Sequence, residues 1–192
     1  MTRIGIVIGS TRPGRTAATV AAWVERIAAE RGDAEYELVD IADHGLPLLD
    51  EPLPPAMRRY SRPHTLAWSE RIDAFDGFVF VTPEYNRSTS GALKNAIDFL
   101  YQEWNGKAAG FVGYGNTGGA RAIEHLRTIM GELQVADVRE QVSLSIFHDF
   151  EDYTRLRPQE RQVAALHTML DQVVTWSEAL SRARRRRAAL AR

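Results

Sequence analysis

Between Arg3 and Thr16 the chain reads Arg-Ile-Gly-Ile-Val-Ile-Gly-Ser-Thr-Arg-Pro-Gly-Arg-Thr, an apolar run that turns abruptly into glycine, hydroxyls and two arginines. Ile4, Ile6 and Ile8 alternate with Gly5, Val7 and Gly9, so both faces of the run are apolar. A strand apolar on both sides must be covered on both sides, the condition of a central strand in a parallel sheet. The residues after it suit a phosphate-binding turn at a helix N-terminus, where free main-chain N–H groups and the helix dipole favour an anion. Ser10 and Thr16 add hydroxyl donors, and Arg12 and Arg15 can add charge-assisted bonds to phosphate oxygens. The plainer alternative is an ordinary turn with two solvated arginines.

The layout then repeats. Pro13 suits the first turn of a helix, and Val20, Trp23, Val24 and Ile27 recur at helical spacing. Arg31-Gly32-Asp33 ends that helix, and Tyr36 to Val39 reads as a short second strand. From Ile41 to about Arg62 there is no periodicity, and Pro47, Pro52, Pro54 and Pro55 predict a long extended loop. Its apolar piece, Leu46 to Leu49, either packs locally or meets a partner. Thr65 to Phe75 is predicted to be a helix that buries Leu66, Ile72 and Phe75. Phe78 to Val81 is the strongest strand after the first, and it runs into Thr82-Pro83-Glu84-Tyr85-Asn86-Arg87-Ser88-Thr89-Ser90-Gly91. Ala92, Leu93, Ala96, Ile97 and Leu100 mark the next helix. Lys107 to Tyr114 is the fourth strand and ends in Gly115-Asn116-Thr117-Gly118-Gly119, before a helix marked by Ile123, Leu126, Ile129 and Met130. Val138 to Ile146 contains a last strand. The polar connector Phe147 to Pro158 leads to a long final helix burying Val163, Leu166, Leu170, Val173 and Val174.

Strand and helix alternate five times, which predicts a parallel sheet with helices on both faces. At 192 residues the whole chain, 1–192, is read as one domain. Ligands of such sheets sit beyond the carboxyl ends of the strands, where strand order reverses. Three polar loops leave those ends, and their coincidence is the reason to expect one site. Tyr85 and Asn86 suit the face and edge of a planar heterocycle, and Tyr114 to Gly119 repeats that composition with paired glycines that admit close main-chain approach.

Other chemistries fit less well. Gly9 to Thr16 misses the nucleotide P-loop pattern by one residue, Arg15 standing where lysine is required. Asp40 is a weak candidate to hold magnesium. The chain has no cysteine, which removes a thiolate nucleophile, disulfides and cysteine-ligated metals. His44, His64, His125, His148 and His167 show no metal-ligand spacing, so no metal is expected. There is no G-x-S-x-G elbow. Glu84 is either a base or, more commonly for a loop carboxylate, a turn or partner contact. Glu103 and Trp104 reach either a neighbouring subunit or their own chain.

With 24 basic and 25 acidic side chains, no global field argues for nucleic acid. The first strand begins almost at Met1 and no apolar run approaches spanning length, so neither a signal peptide nor a membrane is expected and a cytoplasmic location is. The tail arginines Arg182, Arg184, Arg185, Arg186, Arg187 and Arg192 could touch a polyanion, but a solvated helix end complementing its dipole is the simpler reading.

Three stretches together resemble the NAD(P)H-dependent FMN reductases of the flavodoxin-like fold, which include quinone, azo-dye and chromate reductases. They are Gly9 to Arg15, Thr82 to Asn86 with Gly91-Ala92-Leu93-Lys94-Asn95-Ala96-Ile97-Asp98, and Tyr114 to Gly119. The resemblance implies a doubly wound sheet of five parallel strands in the order 2-1-3-4-5. By motif it implies that Ser10, Arg12, Arg15, Thr16 and Ala17 hold the FMN phosphate, that Pro83, Glu84, Tyr85 and Asn86 line the isoalloxazine ring, and that Tyr114, Gly115, Asn116, Thr117, Gly118 and Gly119 contact its pyrimidine end. It further implies hydride transfer from NADPH or NADH to flavin N5, then two-electron reduction of a small-molecule acceptor in the same cleft. No acid–base catalytic residue is implied. A homodimer or homotetramer is the assembly expected. A flavin-binding electron carrier without turnover is the alternative. Two departures stand out: Arg15 replaces a serine and can add phosphate charge, and Ser90 replaces a proline, which could loosen the turn.

Overall fold

The computed structural model describes residues 1–190, so Arg192 of the basic tail lies outside the described residues. Five parallel strands form the sheet: β1 (Arg3–Ile8), β2 (Glu35–Asp40), β3 (Gly77–Pro83), β4 (Ala108–Gly115) and β5 (Ala136–Ser145), in the order β2-β1-β3-β4-β5. This is the order that the resemblance implies. The helices are α1 (Ala17–Ala29), α2 (Pro63–Asp73), α3 (Gly91–Asp98), α4 (Ala120–Glu132) and α5 (Glu160–Leu190).

The pleat of β1 divides the core. Ile4, Ile6 and Ile8 point to one face, where Val20, Val24 and Ile27 of α1 and Leu166, Leu170 and Val173 of α5 cover them. Val7 points to the other, which Trp68 and Ile72 of α2, Leu93 and Ile97 of α3, and Leu126 and Met130 of α4 close. Each side thus buries its own apolar layer, the condition that the all-apolar strands impose. A Cβ at Gly110 would stand 2.8 Å from Val173, so glycine in β4 lets α5 lie close on the sheet.

Several boundaries differ from expectation. The first helix starts at Ala17, leaving Pro13 in the loop before it. In α2 the buried face is Thr65, Trp68 and Ile72, while Leu66 is exposed and Phe75 is buried just beyond the helix end. Thr65, Trp68 and Ile72 lie at i, i+3 and i+7, a single stripe, and Leu66 falls about 100° away from Thr65. The connector after β5 holds a short antiparallel hairpin, β6 (Phe150–Glu151) with β7 (Arg155–Leu156).

The long loop is tethered. Asn95 bridges it by donating to the Pro47 carbonyl at 2.6 Å and accepting from the Leu49 N–H at 3.0 Å. Leu46 packs against the core, whereas Leu48 is exposed. Glu103 is fully buried and serves its own chain, accepting from Tyr60 Oη at 2.9 Å and Ser69 Oγ at 2.7 Å, with Arg58 Nε 3.1 Å away. Trp104 is buried too, its indole N–H bonded to the Ile97 carbonyl at 3.1 Å. In the tail, Arg184 donates to the Gly106 carbonyl and to Asp76 at 2.7 Å, while Arg182, Arg185, Arg186 and Arg187 are exposed. Among the described residues no helix is long and apolar enough to cross a membrane.

Candidate functional site

β1 is flanked by β2 on one side and β3 on the other, so the chain leaves it in opposite directions and a crevice opens beyond its carboxyl end. A cleft of about 400 Å³ occupies that place. Arg12 and Thr16 of the first loop, Pro83, Glu84, Tyr85, Asn86 and Arg87 of the second, and Tyr114, Gly115 and Asn116 of the third line it, together with Arg121, Ile146 and Tyr153. The three loops come from β1, β3 and β4, neighbours in the sheet.

Local sequence explains each loop. Thr16 stands at the N-cap of α1 in a helical conformation and makes no side-chain cap bond. No cap side chain therefore competes for the N–H groups of the first turn, which an anion can satisfy. Arg12 is exposed and donates from Nε to Tyr85 Oη at 3.2 Å, joining the first two loops across the cleft. Ser10 is buried, its Oγ 3.4 Å from the Arg12 N–H. Ala17 is buried beneath the helix start.

Arg15 faces elsewhere. The parallel register pairs Ile8 with Asp40, which puts the end of β2 beside the first loop. There the Arg15 guanidinium forms an ion pair with Asp40, while its Nε is buried with no partner among the described residues. Asp40 also accepts from the Ala42 N–H at 3.0 Å, so its carboxylate is fully engaged. Arg15 does not line the cleft, and the added charge read from the sequence is largely answered by Asp40.

The second loop turns sharply. Tyr85 and Ser88 exchange main-chain bonds of 2.9 and 3.0 Å, with Asn86 and Arg87 at φ of 48° and 69°. Asparagine tolerates that region; arginine there is strained, on the order of 1–2 kcal/mol. Ser90 does not loosen this segment. Its Oγ donates to the Gly9 carbonyl at 2.7 Å and accepts from the Leu93 N–H at 3.0 Å, so one hydroxyl caps α3 and ties the second loop to the first.

Glu84 is nearly buried and held by Arg121, which donates from its main chain at 3.1 Å and from Nε at 2.5 Å. Thr117 adds a hydroxyl bond at 3.2 Å. Burial pushes the Glu84 pKa up, but Arg121 and Thr117 more than offset this and keep the carboxyl below its ordinary range. An ionised carboxylate with its oxygens occupied is a tie between the second and third loops and a poor base. Burial raises the Tyr114 phenol pKa, so that hydroxyl stays protonated.

Gly118 and Gly119 answer a packing need. Both have positive φ, and a Cβ on Gly119 would stand 2.7 Å from Gly113 Cα and Tyr114 N. Thr117 and Gly118 line a neighbouring cavity of about 530 Å³, which meets the cleft at Asn116. Of the residues singled out from sequence, the fold thus gathers Arg12, Thr16, Pro83 to Asn86 and Tyr114 to Asn116 around one cleft. Ser10, Arg15, Ala17 and Gly119 support it from behind. Arg87, Arg121, Ile146 and Tyr153 also line it and are not among the site residues read from sequence. Arg121 is legible as the cation in the first turn of the helix that follows the third loop, whereas Ile146 and Tyr153 carry no local signal.

The arrangement can hold a ligand with an anionic group at one end and a flat ring at the other. Arg12, Thr16 and the start of α1, with the Tyr114 hydroxyl beside Ala17, face the anion; Tyr85 and the main chain of the second and third loops face the ring.

Residues 2–149 match the family model described as NADPH-dependent FMN reductase. An NAD(P)H-dependent FMN reductase of Schizosaccharomyces pombe is 42% identical over 135 residues, covering 69% of this chain and 68% of the relative. A 2-hydroxy-1,4-benzoquinone reductase of Burkholderia is 32% identical over 154 residues, 77% of this chain and 79% of the relative. Among solved structures, the flavoenzyme NAD(P)H:(acceptor) oxidoreductase of Paracoccus denitrificans superposes with a TM-score of 0.73 at 24% identity, covering 93% of this chain and 98% of that one.

Proposed function

This chain belongs to the NADPH-dependent FMN reductase family, and on that premise we propose that it is an oxidoreductase that holds FMN in the cleft and uses NADPH or NADH to reduce a quinone, azo, chromate or flavin acceptor. The observation that carries the reading is the convergence of the β1, β3 and β4 loops on one cleft with a cationic, hydroxyl-bearing end and an aromatic end. FMN has the matching form, one phosphate joined to a flat ring system.

The residues fit that cofactor on structural grounds. The α1 N-terminus lacks a side-chain cap, and Arg12 and Thr16 line the cleft beside it, as a phosphate would require. Arg15 and Asp40 brace the loop from behind. The Tyr85–Ser88 turn and Tyr114 to Asn116 frame the ring end, and the Glu84–Arg121 pair locks those two loops to each other. Bound there, FMN supplies two-electron chemistry between a nicotinamide hydride and an oxidised acceptor. The chain's own contribution is binding and orientation, with the protonated Tyr114 hydroxyl beside the start of α1.

Purified protein should be yellow or should quench the fluorescence of added FMN, and anaerobic NADPH or NADH should bleach the flavin absorbance. FMN binding without bleaching would leave a flavin carrier. A colourless preparation that ignores FMN and binds magnesium-ATP would sink the flavin reading.

A further inference from the structure

One wall of the cleft comes from none of the three loops. After β5 the chain forms the β6–β7 hairpin, whose base is fixed by the core: Phe150 is buried and Leu156 packs against the same apolar layer. Asp149, also buried, accepts from the Ser145 N–H and from the Gln162 amide, each at 2.8 Å, and its carbonyl receives the Arg157 N–H at 2.7 Å. The tip is built differently. Asp152 and Tyr153 have φ of 51° and 58°, a conformation that residues with side chains seldom adopt. It leaves Tyr153 65% exposed and lining the cleft that Tyr85 and Tyr114 also line. Phe147, 56% exposed, meets the Tyr153 ring edge-on at 6.1 Å and 88°.

Phe150 and Leu156 anchor the hairpin in the core, whereas the Phe147 and Tyr153 rings stand largely in water. Exposed apolar surface beside a cleft marks a place where something docks. A tyrosine backed by a phenylalanine offers a rigid ring with few torsions to freeze, and such rings favour offset or edge contact with another flat ring.

We propose that the Tyr153–Phe147 pair is the face on which the ring of the electron acceptor rests, so that the hairpin tip selects planar aromatic acceptors over compact ones. This rests on the cleft being an FMN site. An electron-poor quinone entering from the open side meets the Tyr153 ring, whereas a compact anion such as ferricyanide gains nothing from it.

The FMN-loaded protein tests this with Tyr153→Ala and Tyr153→Phe. A 1,4-naphthoquinone titrated into the oxidised holoprotein, followed by intrinsic fluorescence, gives a binding constant without turnover. Stopped-flow reoxidation of the NADPH-reduced protein, by naphthoquinone or by two equivalents of ferricyanide, gives the acceptor dependence. In Tyr153→Ala the naphthoquinone Kd and KM should rise roughly three- to tenfold, the scale of one aromatic contact. On protein saturated with FMN, the ratio of the naphthoquinone to the ferricyanide reoxidation rate should fall by the same factor, and Tyr153→Phe should keep the parent's ratio and Kd. Equal losses with both acceptors, an unchanged naphthoquinone Kd, or the same loss in Tyr153→Phe would each overturn the proposal. A parent protein that binds no FMN would overturn the cofactor reading and this one with it. A parent that binds and turns over beside an indistinguishable Tyr153→Ala would overturn this one alone.

Discussion

At the scale of single residues the cleft turns on Arg12, the one arginine of the first loop that lines it. Among the described residues its one side-chain bond is to Tyr85 Oη, so its charge is not spent on a carboxylate as that of Arg15 is. Arg12→Ala should weaken FMN binding by about 1.5–3 kcal/mol, the scale of a bond to a charged group. Arg12→Lys, with charge but no fork, should fall between. Fluorescence titration decides this, and an unchanged Kd would remove Arg12 from the phosphate end. Lys107 makes a different residue-level prediction. It is 3% exposed, its Nζ donates to the Ile72 and Asp73 carbonyls at 2.8 and 3.2 Å, and burial lowers its pKa from 10.5 to about 8. Between pH 8 and 10.5 the unfolded chain therefore binds more protons at this site than the folded one, so the lysine's contribution to stability rises with pH. The full swing is on the order of 3 kcal/mol. Urea unfolding of the parent and of Lys107→Met across that range should show the parent gaining on the variant as pH rises. Parallel curves would mean that Lys107 titrates as an ordinary lysine.

At the scale of elements, the buried Glu103 carboxylate holds the long loop through Tyr60 and Arg58 and holds α2 through Ser69. Glu103→Ala removes the shared acceptor and leaves those donors facing a low-dielectric pocket, which should cost roughly 2–4 kcal/mol. The loss should be local first, with residues 55–62 exchanging amide hydrogens and yielding to protease before the sheet does; uniform exchange along the chain would contradict the tether. The tether also marks where sequence stops being informative. β1, β3 and β4 were legible because a strand buried on both faces must be a continuous apolar run. The three loops were legible because turn chemistry and anion chemistry both write themselves in glycine, hydroxyl and asparagine. Glu103 was not, since an acidic residue after a helix reads the same whether it meets its own chain or another. The hairpin was missed because two-residue strands are too short to show a period, and with it went Tyr153. Arg15 was half-read: its charge was visible, but its partner Asp40 lies 25 positions on and is brought near only by the β1–β2 register.

At the scale of the whole molecule, the cleft exists only when the sheet does. Its lining runs from Arg12 to Tyr153, and the β2-β1-β3-β4-β5 order is what sets the loops after β1, β3 and β4 side by side. An unfolded chain has no such cleft, so FMN should bind the native state alone and shift the folding equilibrium by mass action. At a hundredfold excess over its Kd the ligand stabilises by about 2.7 kcal/mol. For a chain of this size that corresponds to a rise in Tm of roughly 5–10 °C. The two ends of the cleft can be separated in the same experiment. Riboflavin carries the ring without the phosphate and so forfeits Arg12, Thr16 and the uncapped start of α1; at equal concentration it should raise Tm by clearly less. In Arg12→Ala the gap between the two ligands should narrow, because the variant lacks one of the groups that distinguish them. Equal shifts from FMN and riboflavin in the parent would show that the first loop does not read the phosphate. No shift from either would show that the loops gather around some other ligand.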